Sequence, residues 1–180
     1  MNDTIFGKHL CIKRAAGAYT HHGLGLGSGK VIHYSGLGRH AASKGEVEIV
    51  ELETFTGRRQ LSVIEHHNLP WSEADAIARA LSRMGERQYN MLYNNCEHFV
   101  NWCLYGQHKS PQAQSAKYLY AAGIGLRVFA GTKHPAGLAA GAMAAFTWVQ
   151  IQGLLKTPNS AWLERQFKNR QQGSAYLQNS

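Results

Sequence analysis

The period of the apolar pattern changes once along this 180-residue chain, at Pro70, and that switch restricts the fold more than any other feature. Before it, short apolar or alternating runs at 8–12, 22–26, 30–34, 47–52 and 61–65 are separated by glycine-rich breaks, the pattern of strands and tight turns. Ser28-Gly29 reads as a hairpin turn, and the 61–65 run is expected to pair with the 47–52 run. After Pro70, Ser72 is placed to cap a helix with Asp75 as its capping-box partner. Ala74, Ile77, Leu81 and Met84 then recur at helical spacing before Gly85. A second helix is expected from Asn94 or Asn95, burying Phe99, Val100 and Cys103 or Leu104 and ending at Gly106. Strands first and helices after predict an α+β fold.

Charge divides the chain. Residues 1–107 hold 11 Lys/Arg against 10 Asp/Glu, whereas residues 108–180 hold 8 against 1, so nearly all of the net charge of +8 lies in the C-terminal part. We therefore expect a catalytic domain over 1–107 and a basic, Gly/Ala-rich extension over 108–180. Within the extension, the apolar stretches 118–131 and 136–149 are broken by Thr132-Lys133-His134-Pro135. Each falls short of the roughly 20 residues a bilayer crossing requires, although Pro135 to Leu155 reaches that length if Gln150 and Gln152 lie at an interface. A further short helix from Ser160 sets Trp162, Leu163 and Phe167 beside Arg165, Lys168 and Arg170, a composition that suits a membrane interface and equally an ordinary docked helix. An anionic membrane surface is the expected partner of this segment, ahead of nucleic acid. Three cysteines without framework spacing, and no apolar run after a basic start, predict a reducing, cytoplasmic setting at or near a membrane.

A cysteine is a nucleophile only as its thiolate, which a helix N-terminus or a neighbouring imidazole stabilises. In YNNCEHFVNWCLYG the asparagines sit where an N-cap belongs, so Cys96 falls in the first helical turn. Cys103 lies two turns later and Cys11 in a predicted strand, both as packing residues. Among ten histidines, His21 and His33 come from consecutive strands of one hairpin. They are expected side by side on the sheet face against which the Cys96 helix packs, one ring to take the thiol proton and the other to orient it. Strand alternation allows only one of His21 and His22 to face the cysteine.

These residues carry a family resemblance. YTHHGLGLGSGKVIHYSG resembles the histidine hairpin of the lecithin:retinol acyltransferase-like proteins, with His21 and His33 twelve positions apart, and NNCEHFVNWCLYG is similar to that family's cysteine block. The resemblance covers roughly residues 7 to 107. It implies a circularly permuted papain-like α+β fold and an acyl-thioester mechanism on glycerophospholipid esters, with no cofactor and no metal. By position it makes Cys96 the nucleophile, His21 the general base, His33 the residue that orients it and Tyr19 a group near the oxyanion. His22 departs from the family, which usually has an aromatic residue there. Glu97 and His98 belong to the motif but are expected to point away from Cys96, as scaffold.

The acyl acceptor stays open: water makes the enzyme a phospholipase A, and an amine or lysolipid hydroxyl makes it an acyltransferase. Three other readings compete. Papain-like thiols also cleave amides, so an amidase or cysteine peptidase is one. A non-catalytic interaction protein that keeps the fold is another, although it would not require His21, His33 and Cys96 together. A zinc site is the third, disfavoured because no Cys-x-x-Cys or His-x-x-x-His pair occurs.

Overall fold

Alternation and glycine punctuation fold the first part of the chain into one antiparallel sheet. The computed structural model describes residues 3–14, 19–36, 45–156 and 158–178. The strands are β1 (His9–Arg14), β2 (Tyr19–Gly27), β3 (Lys30–Tyr34), β4 (Val47–Glu51) and β5 (Leu61–Ile64), in the spatial order β4-β3-β2-β1-β5. Ser28 and Gly29 both take positive φ, as the predicted two-residue hairpin requires. The 61–65 run does not pair with the 47–52 run; β5 lies against β1 at the opposite edge from β4. Alternation stops at Leu52 because the chain turns there into a short helix, α1 (Leu52–Thr56), which ends at left-handed Gly57 and leads toward the far edge.

The two faces of the sheet are covered differently. On one face α1 seats Phe55 against Leu10, Ile12, Val31 and Ile5. On the other, Leu24, Ile32, Tyr34 and Val47 meet α2 (Glu73–Leu81) and α3 (Cys96–Tyr105) through Ala76, Ile77, Ala80, Phe99, Val100 and Cys103. Burying residues of this size contributes roughly 1.5–3 kcal/mol each, which makes this contact the main anchor of α3.

The capping box of α2 forms as predicted, Ser72 Oγ accepting from the Asp75 N–H at 3.1 Å and Asp75 Oδ2 from the Ser72 N–H at 3.3 Å. Its buried stripe is rotated from the predicted one: Ala74, Leu81 and Met84 are exposed, and the helix ends at Leu81, short of Gly85. The cause is Arg79. Its guanidinium lies 4.3 Å from the ring centroids of both Trp71 and Trp102 and pairs with Glu164 at 2.7 Å, so an arginine occupies the inner face.

The extension is helical: α4 (Pro111–Thr132), α5 (Pro135–Lys156) and α6 (Ser160–Gln178). α4 and α5 form a tight hairpin. A Cβ at Gly125 would lie 2.6 Å from the Leu138 carbonyl oxygen, so only glycine allows this approach. Tyr93 donates to the Val149 carbonyl at 3.0 Å and ties the hairpin to the sheet domain. Leu126, Met143, Trp148, Leu154 and Leu155 remain exposed, and the stretch Pro135–Gln171 is long and apolar enough, by length and composition, to cross a membrane. In α6, Trp162 is partly exposed but Leu163 is buried in the main core with Phe167 beside it, so this helix is docked and does not present all three residues to solvent.

Candidate active site

Cys96 is the first residue of α3 because Asn95 caps the helix: its Oδ1 accepts from the N–H groups of Glu97 and His98, each at 3.0 Å. The thiol is fully buried. The Tyr19 hydroxyl lies 3.4 Å from Sγ, and the Tyr89 hydroxyl lies 3.3 Å from that of Tyr19. Burial pushes the thiol pKa up, while the Tyr19 hydroxyl and the His22 N–H pull it back. Burial and the nearby sulfur raise the Tyr19 pKa strongly, so its hydroxyl remains a donor. Cys103, wholly buried, is pushed up to about 12, and burial also raises Cys11.

His21 and His33 are side by side, as the hairpin register predicts, with His21 Nε2 2.8 Å from His33 Nδ1. Their face is the unexpected part. His33 is in register with Gly23, and both imidazoles pack on Phe55, so the pair lies on the α1 face, whereas His22 and Leu24 lie on the face that carries α3. The expectation that both histidines share the α3 face is corrected. Parity along β2 was legible in the sequence, but which parity met α3 depended on where α1 folds.

The β2–β3 ladder begins at Gly23↔His33, which leaves Tyr19–His22 beyond it, and the His22 N–H on that free stretch favours the Cys96 thiolate. Among the described residues no hydrogen bond joins Cys96 to His21. His21 Nδ1 is buried and unpartnered. The Glu48 carboxylate lies 3.7 Å from His33 Nε2 and favours a proton there. His33 Nδ1 then accepts from His21 Nε2–H, and His21 Nδ1 carries a free lone pair. Burial, then His33 and Arg14, hold His21 well below the ordinary histidine value, and burial with Arg14 lowers His33 to about 4. The resting site is therefore neutral.

His22 has its own partners, which sequence reading missed. Because the Thr20 N–H can only donate, the group 2.8 Å from it is Gln112 Oε1, and the Thr20 hydroxyl donates to the same oxygen at 2.7 Å. Thr20 Oγ1 must then accept from His22 Nε2–H, His22 Nδ1 from His9 Nε2–H, and His9 Nδ1 from His66 Nε2–H, each at 2.8 Å. His66 Nδ1 accepts from Tyr105 at 2.7 Å. One neutral tautomer satisfies every link, and an added proton would set two donors against each other. Burial lowers all three imidazoles, His9 to about 3. This chain spans β1, β2, α3 and α4 and fixes the peptide that faces Cys96. Only the pairing register, which places His9 diagonally across from His22, could have revealed it.

Glu97 and His98 are scaffold: Glu97 Oε2 accepts from Ser110 and from the Gln112 N–H at 3.1 Å, and His98 lies on His108 and bonds Asn95. Two cavities flank the site. One of about 490 Å³ is lined by Arg14, His21, His33, Glu48, Phe55 and Arg59; the other, of about 460 Å³, is an apolar groove lined by Tyr19, Met91, Ala113, Ala116 and Leu119.

Residues 2–109 match the family model described as Lecithin retinol acyltransferase. Human phospholipase A and acyltransferase 4 is 30% identical over 130 residues, covering 63% of this chain and 79% of that protein. Mouse lecithin retinol acyltransferase is 53% identical over 40 residues, 22% of this chain and 17% of that protein, and the rat protein matches to the same extent. The chain thus spans about a sixth of the lecithin retinol acyltransferases it matches.

Proposed function

Because the chain belongs to the lecithin retinol acyltransferase family, we propose that it transfers or hydrolyses acyl groups of glycerophospholipid esters through a thioester on Cys96. The observation that carries this reading is the Tyr19 hydroxyl 3.4 Å from a helix-capped thiol, on the strand that also carries one member of a neutral histidine pair. Cys96 attacks the ester carbonyl as its proton passes to the lone pair of His21 Nδ1. The step requires sulfur and ring to approach each other in the substrate complex. The growing negative charge falls on the ester oxygen, within reach of the Tyr19 hydroxyl and the Cys96 N–H, which has no partner inside the helix at its first position. His21 then protonates the departing glycerol oxygen, with His33 holding the ring. Water, an amine or a lysolipid hydroxyl resolves the thioester by the reverse sequence.

The groove beside Tyr19 supports a lipid ester over a peptide, because its apolar wall continues along α4 toward the exposed hairpin. In this reading the exposed apolar residues of α4 and α5 and the basic excess of the extension hold the protein on an anionic membrane, on its cytoplasmic side. Incubating the protein with labelled phosphatidylcholine, with and without an amine, tests the proposal: lysolipid with free fatty acid or N-acyl amine is expected, and absence of both excludes the ester chemistry.

A further inference from the structure

The polar cavity behind His21 and His33 has an unmet electrostatic demand. Arg14 Nε is buried and has no partner among the described residues, and His33 Nε2 in the same wall also lacks a hydrogen bond. Arg14 is half-buried with this one N–H turned inward, and a guanidinium donor in a cavity wall suits an anionic group. Arg59 contributes a second cation to the lining, against one carboxylate, Glu48, which is half exposed and turned to His33. The cavity therefore carries a net positive charge beside two neutral imidazoles.

Its position links it to the thiol. Gly36 is on its rim, and a Cβ there would lie 3.9 Å from the Tyr19 hydroxyl, itself 3.4 Å from Cys96 Sγ. Tyr19 also lines the apolar groove, so the residue that touches the sulfur lies near the rim of the cationic pocket and in the wall of the apolar one. An ester that connects an acyl chain to a phosphate a few bonds away matches that division.

We propose that Arg14 and Arg59 form a phosphate subsite, taking the substrate's phosphodiester while the acyl chain follows the groove along α4. This rests on the thioester reading above and adds what selects the substrate: planar guanidinium donors facing a phosphate, with His33 Nε2–H as a third donor. The subsite makes the enzyme discriminate between esters by the charge at the third glycerol carbon.

The test compares dihexanoylphosphatidylcholine with dihexanoylglycerol, which shares its esters and lacks the phosphate, using the full chain. Arg14→Met and, separately, Arg59→Met should each lower the ratio of kcat/KM for phospholipid over diacylglycerol by roughly 10- to 100-fold, and Arg14→Lys should restore part of it. Inorganic phosphate should inhibit the phospholipid reaction competitively and less so in Arg14→Met. Arg59 is exposed, so its variant remains informative if Arg14→Met folds poorly. An unchanged ratio in Arg59→Met and in soluble Arg14 variants overturns the subsite, even if free phosphate binds. If neither ester is turned over by the wild type, the thioester reading fails separately, and calorimetric binding of dihexanoylphosphatidylcholine against dihexanoylglycerol still decides the subsite.

Discussion

The His22 imidazole lies 2.8 Å from both His9 Nε2 and Thr20 Oγ1, while its neighbour His21 pairs with His33 at 2.8 Å on the opposite face of the sheet. In the proposed mechanism neighbouring histidines divide the work: His22 ties β2 to β1, and His21, on the opposite face, presents the free nitrogen. His21→Ala should reduce kcat by at least about 10³-fold with little change in melting temperature, because it removes the proposed base. His22→Ala should instead cost about 2–4 kcal/mol in stability, since His9 and Thr20 lose partners. Parallel kinetics and urea unfolding separate the two. A greater loss of kcat in His22→Ala than in His21→Ala would reverse the assignment.

Tyr19 reaches the sulfur and stays protonated, which makes it a donor to charge developing at the site. Tyr19→Phe should lower kcat by about 10²-fold with KM nearly unchanged, the signature of an interaction made in the transition state. It should also slow alkylation of Cys96 at neutral pH, because the thiolate loses a hydrogen bond. An effect confined to KM would move Tyr19 to substrate binding.

Acid should unfold this protein early. His9 is held at about 3, His33 at about 4, His98 at about 3 and His108 at about 2, all by burial first, whereas an unfolded histidine titrates near 6.5. The unfolded chain therefore binds protons that the folded one refuses. The stability these groups contribute is complete above about pH 6.5 and falls as pH drops from there toward 4, by up to about 1.4 kcal/mol per pH unit for each histidine. Urea midpoints at pH 7.5, 6.0 and 5.0 should decline progressively; a constant midpoint would show that the imidazoles are protonated without cost.

The sequence revealed local structure better than its assembly. The Ser28-Gly29 hairpin, the Ser72–Asp75 box and the Asn95 cap depend on residues within a few positions, and all three formed. The partner of β5 and the inner face of α2 depended on distant groups: α1 redirects the chain after β4, and Trp71, Trp102 and Glu164 draw Arg79 inward. The same limit applied at the site. The separation of His21 and His33 announced their pairing, but the face they occupy, and the link from Gln112 to Tyr105 through three histidines, required the register of β1 against β2.

The extension should bind anionic vesicles by two additive means. Leu154 and Leu155 are exposed at 85% and 76%, so Leu154→Ser with Leu155→Ser should weaken binding at any salt concentration without unfolding the chain. Lys and Arg near the surface contribute about 1 kcal/mol each, an attraction that salt screens. Co-sedimentation with neutral and phosphatidylserine-containing vesicles at low and high salt measures both. Equal sedimentation of wild type and double variant under all conditions would remove the hairpin from the interface.

The central claim is that Cys96 carries the acyl group. Intact-protein mass spectrometry after brief mixing with phosphatidylcholine, quenched in acid, should show a mass increase of one acyl chain. Hydroxylamine should remove it, peptide mapping should place it on Cys96, and it should be absent in Cys96→Ala, which is expected to be inactive yet folded. An acyl adduct on Cys11 or Cys103, or undiminished turnover by Cys96→Ala, would contradict the account.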